Sequence, residues 1–293
     1  MKDAWGRTIE YVRLSLTDAC NFCCPYCRPA EITPQSQHQL LSVDEWMTIL
    51  GAFHQVGVKA VRLTGGEPLL YPHIEELLAR IKQTGWFEDI SMTTNGSLLA
   101  PRAEKLKELG LNRVNISLDS LDSDAFALCV GKANQLDSVL SGIQSAIDAG
   151  FTSVKINTVL SRHWTDDEVR ALLTYVETWP VIWRFIEYMP FQGDAFHGPT
   201  FDEWKAQLER VSGGILTENH DVYGFGPATY YNLPSGKEIG FIFSMSHSYC
   251  DTCNRVRLTS DGQMRLCLLR DDEADLVSLV RSEEHTSELQ SPF

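Results

Sequence analysis

An α/β fold is the expectation for this chain: a partial parallel (β/α)6 barrel followed by a smaller C-terminal module. Two observations carry it. Six short apolar segments rich in β-branched residues recur from about residue 10 to residue 187, as buried parallel strands do. Amphipathic stretches with readable helix starts lie between them, and the alternation breaks off near residue 190.

The first strand is Tyr11–Leu16. Ser42 and Glu45 then form a capping box ahead of the apolar stripe Trp46, Ile49, Leu50 and Phe53. Ala60–Leu63 is the second strand. Pro72 opens the next helix, Ile74, Leu77, Leu78 and Ile81 form its stripe, and Gly85 closes it. Strands follow at Ile90–Thr94, Arg113–Leu118 and Val154–Val159. Thr165 with Glu168 repeats the capping box before Val169, Leu172, Leu173 and Val176, and Val181–Ile186 is the sixth strand. Beyond residue 190 the pattern predicts a helix over Asp202–Val211, strands at Thr229–Leu233 and Lys237–Phe243, and an amphipathic run at Ala274–Val280. In a parallel barrel chemistry gathers at the C-terminal strand ends, and every motif below is expected there.

The 293 residues are 43% hydrophobic and 22% charged, the composition of a soluble globular protein. No signal-peptide core and no run of membrane-spanning length is present in the sequence. Eight cysteines without a secretory signal favour metal ligation over disulfides and place the chain in a reducing cytoplasm. The net charge of −14 argues against a nucleic-acid or anionic-membrane surface, although a few converging arginines can still hold a triphosphate.

Cys20, Cys24 and Cys27 give a C-x3-C-x2-C spacing on the loop after the first strand. Three thiolates can hold three irons of a 4Fe–4S cluster and leave the fourth open; a zinc knuckle or buried thiols are the bland alternatives. Cys23 allows a second triplet, Cys20, Cys23 and Cys27. Thr64-Gly65-Gly66-Glu67-Pro68 follows the second strand, and its glycines permit a close backbone approach. Thr93-Thr94-Asn95-Gly96 and Ser117-Leu118-Asp119 end the third and fourth strands with small polar groups. Cys250, Cys253 and Cys267 form a C-x2-C-x13-C array, again without an obvious fourth cysteine; His247 could complete a zinc site. Cys129, alone in the pattern, reads as a core residue.

The first triplet together with the Gly-Gly-Glu-Pro segment resembles the radical S-adenosylmethionine (SAM) superfamily. Asn254-Arg255-Val256-Arg257, set inside the second triplet, resembles the GTP 3′,8-cyclase family in particular. Arg13-Leu-Ser-Leu-Thr-Asp-Ala-Cys-Asn21, Asn115-Ile-Ser-Leu-Asp119, Val154-Lys-Ile-Asn-Thr-Val159 and Arg184-Phe-Ile-Glu187 match that family in order. The resemblance implies a TIM-like partial barrel, the radical SAM core, over residues 5–190. It implies a C-terminal module with a second Fe–S cluster over 191–280. Residues 281–293 resemble translated sequencing adapter and are set apart as non-native.

The resemblance further implies SAM as cofactor and two 4Fe–4S clusters, one on Cys20, Cys24 and Cys27, the other on Cys250, Cys253 and Cys267. SAM falls to Gly65, Gly66, Glu67, Thr94, Asn95 and Ser117, with Val159 near its adenine. GTP falls to Arg13, Lys155, Arg184, Arg255 and Arg257, the last two also serving as catalytic residues. The implied reaction converts GTP to (8S)-3′,8-cyclo-7,8-dihydroguanosine 5′-triphosphate, the first step of molybdenum cofactor biosynthesis. Cyclic pyranopterin monophosphate synthase is the implied downstream enzyme, and a homodimer the implied assembly. Three departures from the family pattern stand out: Cys23 where a basic residue is usual, Ala60 where a lysine is common, and Tyr71-Pro72-His73 without the usual arginine. The family also carries a further helical stretch ending in Gly-Gly, which this sequence lacks, so weak turnover is expected.

Overall fold

The computed structural model describes residues 2–3, 6–27, 40–190, 198–221, 223–267 and 273–282. Six strands, β1 (Tyr11–Ser15), β2 (Ala60–Thr64), β3 (Asp89–Thr94), β4 (Arg113–Ser117), β5 (Ser153–Val159) and β6 (Ile182–Ile186), pair in parallel in chain order. Helices α1 (Val43–Gln55), α2 (Ile74–Thr84), α3 (Ala103–Glu108), α4 (Ser123–Val130), α5 (Leu136–Asp148) and α6 (Asp166–Thr178) fill the crossovers. Ser42–Glu45 and Thr165–Glu168 both close as capping boxes. His73, not Pro72, is the N-cap of α2, so Pro72 sits just outside the helix.

Each strand alternates. Val12, Leu14, Val61, Leu63, Ile90, Met92, Val114, Ile116, Trp183 and Phe185 join the helix stripes in one buried apolar cluster. The intervening positions, Arg13, Arg62, Ser91, Asn115, Lys155 and Arg184, share the opposite face, the barrel interior. That interior is polar, and this is what makes it a site and not a core.

The later part of the chain adds no separate sheet among the described residues. Helix α7 (Phe201–Ser212) precedes β7 (Thr217–Asn219), β8 (Thr229–Asn232) and β9 (Glu238–Ile242), and β9 joins β6 in parallel. Strand β10 (Arg255–Leu258) joins the far edge, parallel to β1, and carries β11 (Gln263–Arg265) and β12 (Glu273–Asp275). The module therefore grips both edges of one twelve-stranded sheet. The run Ala274–Val280 is not one helix: the Asp275 carboxylate accepts from the Ser278 amide at 3.1 Å, and α8 (Val277–Arg281) starts only there. Arg281, set apart with the tail in the sequence reading, closes α8 and pairs with Glu45 at 2.6 Å. Residues 283–293 of that tail lie outside the described residues. No described helix is long and apolar enough to cross a membrane.

Candidate active site

At the C-terminal end of β1 the cysteine loop is stitched to the Gly-Gly turn after β2. The Gly66 amide donates to Thr17 O at 2.6 Å, and the Glu67 amide donates to Ala19 O at 2.8 Å. A Cβ at Gly65 (φ +150°) would strike Thr17 O, and one at Gly66 would strike the carbonyls of Asp18 and Ala19. The close approach that the glycines permit is thus to the cysteine loop itself.

Glu67 is fully buried. Its carboxylate accepts from Thr94 Oγ1 at 2.7 Å, the Leu69 amide at 3.1 Å and the Asn95 amide at 2.7 Å. Asn95 in turn donates to Asn21 Oδ1 at 2.8 Å and reaches to 3.9 Å from Cys20 Sγ. The Glu67 and Thr94 side chains, expected to meet SAM, bond one another and hold the turn to the Asn95 amide. The period of two turns Thr94 away from the interior, and Thr93, which accepts from Asn115 Nδ2 at 3.4 Å, faces inward instead. Ser117 ends β4 on the same interior face.

Burial, then the charge of Asp119 and of the neighbouring Cys27 and Cys20, pushes the Cys24 thiol far up. The thiolates repel one another unless a cation stands between them. Cys23 is exposed, and its amide donates to Val130 O at 2.9 Å, toward α4. Tyr26, which the sequence reading passed over, sits between Cys24 and Cys27 and donates its hydroxyl to Asp119 Oδ2. Asp119 Oδ1 accepts from the Val159 amide at 2.8 Å, and burial raises the Asp119 carboxyl to about 6.

The interior below this loop is lined with cations. Arg13 and Arg257 are in register on neighbouring strands, as are Asn157 and Arg184. Arg184 donates from Nε and Nη2 to Asn157 Oδ1 at 2.9 and 2.6 Å, and Lys155 Nζ donates to Tyr223 O at 3.0 Å and Tyr230 Oη at 3.2 Å. Among the described residues none of Arg13, Arg62, Lys155, Arg184, Arg255 and Arg257 is paired with a carboxylate within 4.0 Å. Burial and the surrounding guanidiniums lower Arg13, Lys155 (to about 6), Arg184 (to about 10) and Arg257. Arg62 was missed in the sequence. No motif marks it, yet of Ala60, Arg62 and Thr64 on the inward face of β2 only Arg62 carries a charge.

Contrary to the expectation that every motif lies at the C-terminal strand ends, the second triplet sits at the opposite mouth. β10 runs parallel to β1, so Cys250 and Cys253, which precede it, stand at the N-terminal ends of the strands. Antiparallel β11 brings Cys267 back to the same end. Burial raises the Cys253 thiol, but hydrogen bonds from Arg255 and its charge outweigh this and leave it lowered. Beside it a cavity of about 540 Å³ is lined by residues 224–227 and 252–255. The His247 ring packs on Phe201, with centroids 5.3 Å apart. No three described His, Cys, Asp or Glu side chains converge on one ion.

Comparison with known proteins decides the family. Residues 14–176 match the radical SAM superfamily model, and residues 181–293 match Molybdenum Cofactor Synthesis C. A GTP 3′,8-cyclase of Pelotomaculum thermopropionicum is 40% identical over 294 residues, 99% of this chain and 90% of that protein. The chain belongs to the GTP 3′,8-cyclase family. A GTP 3′,8-cyclase 2 of Pseudomonas aeruginosa is 41% identical over 286 residues, covering 96% of this chain and 85% of that protein. In fold, the chain is similar to SuiB of Streptococcus suis solved with S-adenosylmethionine. The TM-score is 0.68 at 16% identity, over 97% of this chain and 68% of that one.

Radical SAM GTP 3′,8-cyclases use SAM and two 4Fe–4S clusters, and the residues present fit those groups. Each mouth offers a triplet of free thiols, Cys23 of the upper loop being exposed beside its triplet, the upper loop is braced by the Gly65–Gly66 contact, and the buried Nε of Arg13 between them has no hydrogen-bond partner among the described residues.

Proposed function

We propose that this chain catalyses the SAM-dependent cyclisation of GTP to (8S)-3′,8-cyclo-7,8-dihydroguanosine 5′-triphosphate, the entry step of molybdenum cofactor biosynthesis. The observation that carries the reading is the unneutralised cationic interior joining two cysteine triplets at opposite mouths. Arg13, Arg62, Lys155 and Arg184 hold the triphosphate, each charged contact contributing roughly 1.5–3 kcal/mol. Arg255 and Arg257, beside Cys253 and Cys267, flank the purine end and donate to its acceptor edge. The ribose is thereby presented toward the upper loop, and the buried walls keep water from it.

Cys20, Cys24 and Cys27 hold the cluster that, with bound SAM, supplies the one-electron chemistry opening a ribose C–H bond. Gly65, Gly66, Glu67, Asn95 and Ser117 shape the SAM end. Residues 5–190 form the SAM-binding part and 191–280 the part holding the second cluster. The product passes to cyclic pyranopterin monophosphate synthase in the cytoplasm, and the assembly is a homodimer.

EPR of the anaerobically reconstituted, reduced protein with and without GTP tests this. Two cluster signals, one of them shifted by GTP, are expected, together with GTP-dependent release of 5′-deoxyadenosine. One signal indifferent to GTP would sink the assignment.

A further inference from the structure

Two buried polar atoms of the interior wall formed by β1 have no hydrogen-bond partner among the described residues, Arg13 Nε and Tyr11 Oη. Arg13 has a role above; Tyr11 has none. Its side chain is 2% exposed, and a buried hydroxyl left without a partner is both costly and uncommon. Tyr11 lies on the interior face of β1, one inward position below Arg13, in register with Arg255 and Ala60. Its phenol is an electrostatic neighbour of the guanidiniums of Arg13, Arg184 and Arg257, and of Arg113, which is already paired with Asp89. The ring is held: Phe225 stacks on it with centroids 6.2 Å apart, and the Arg62 guanidinium sits over it at 5.4 Å.

Guanidiniums donate and never accept. The Tyr11 hydroxyl therefore finds no acceptor among the described residues for its own proton, and the Arg13 Nε beside it on β1 is likewise without one. The ligand that satisfies both of these donors together, in a setting of positive charge, is an anion with several acceptor oxygens. We infer that Tyr11 is a nucleotide-binding residue whose hydroxyl donates to an oxygen of the triphosphate chain gripped by Arg13, Arg62 and Arg184, an assignment that rests on the GTP reading above.

The test compares the reconstituted full chain with its Tyr11→Phe variant by titration calorimetry, using GTP, inorganic tripolyphosphate and guanosine. GTP and tripolyphosphate should bind the variant about ten- to hundredfold more weakly, with guanosine unaffected. The nucleotide-free variant should melt a few degrees higher, because the unsatisfied hydroxyl is gone; this also shows that it folds. Unchanged GTP affinity overturns the inference. So does an equal loss for guanosine, which would put the hydroxyl on the nucleoside. If the unaltered chain binds tripolyphosphate in a Tyr11-dependent way but not GTP, the phosphate contact stands and the cyclase reading falls.

Discussion

Arg13 and Arg257 stand side by side in the barrel wall, in register on parallel strands; burial and then Arg257 depress the protonation of Arg13, and burial and then Arg255 depress that of Arg257. Like charges placed directly opposite in a sheet are destabilising. Among the described residues neither is neutralised by a carboxylate, so the fold holds a repulsion that a bound anion relieves. Arg257→Met is therefore expected to keep or raise the Tm of the nucleotide-free protein while weakening GTP at least tenfold. A variant that loses stability and affinity together would show a structural role instead.

Lys155 gives a pH signature. Burial first, then Arg184, Arg113 and Arg62, lowers its ammonium to about 6 from the ordinary 10.5. Between those values the unfolded chain binds the proton that the folded chain refuses, so stability rises with pH across that window. Binding a polyanion restores the charge. GTP titrations near pH 7.5 in buffers of different ionisation enthalpy should reveal proton uptake, and Lys155→Met should abolish it.

The choice of cluster ligands is a substitution experiment. Cys24 is half-buried among Asp119, Cys27 and Cys20, whereas Cys23 is exposed and directed toward α4 by its amide bond. Cys24→Ala is expected to lose the iron of the first cluster and all SAM cleavage. Cys23→Ala should retain both, as iron content and 5′-deoxyadenosine release would show.

Glu67 braces the upper loop from inside. Its carboxylate takes three hydrogen bonds, from Thr94, Leu69 and Asn95, while fully buried. Glu67→Gln forces an amide N–H against one of these donors and should cost roughly 2–4 kcal/mol. Denaturant melts measure that loss. The same variant should lose its first cluster to a chelator faster than the parent.

Much of this was readable in the sequence because it is local. The strands around Arg13, Arg113 and Arg184 and the capping boxes at Ser42 and Thr165 follow from patterns a few residues long. Both cysteine triplets are visible as spacings. What escaped is non-local. Nothing near Cys250 says that β10 will lie parallel to β1, and that pairing alone sends the second triplet to the opposite mouth. Register decides the placing of the neighbouring threonines: a single residue sets Thr93 inward and turns Thr94 toward Glu67. Arg62 and Tyr11 acquire meaning only when other strands surround them with charge.

The edge pairing of β1 with β10 also governs how this protein comes into being. Ser260, just past β10, bonds Asp18 in the cysteine loop across 242 residues of chain. During synthesis at about 5–20 residues per second, the N-terminal cysteines wait on the order of ten seconds or more for that edge to emerge. Until it docks, the first loop is open to oxygen and to stray metals. Iron delivery to Cys20, Cys24 and Cys27 is then best timed after release from the ribosome, and maturation of the enzyme becomes a race between edge docking and thiol oxidation.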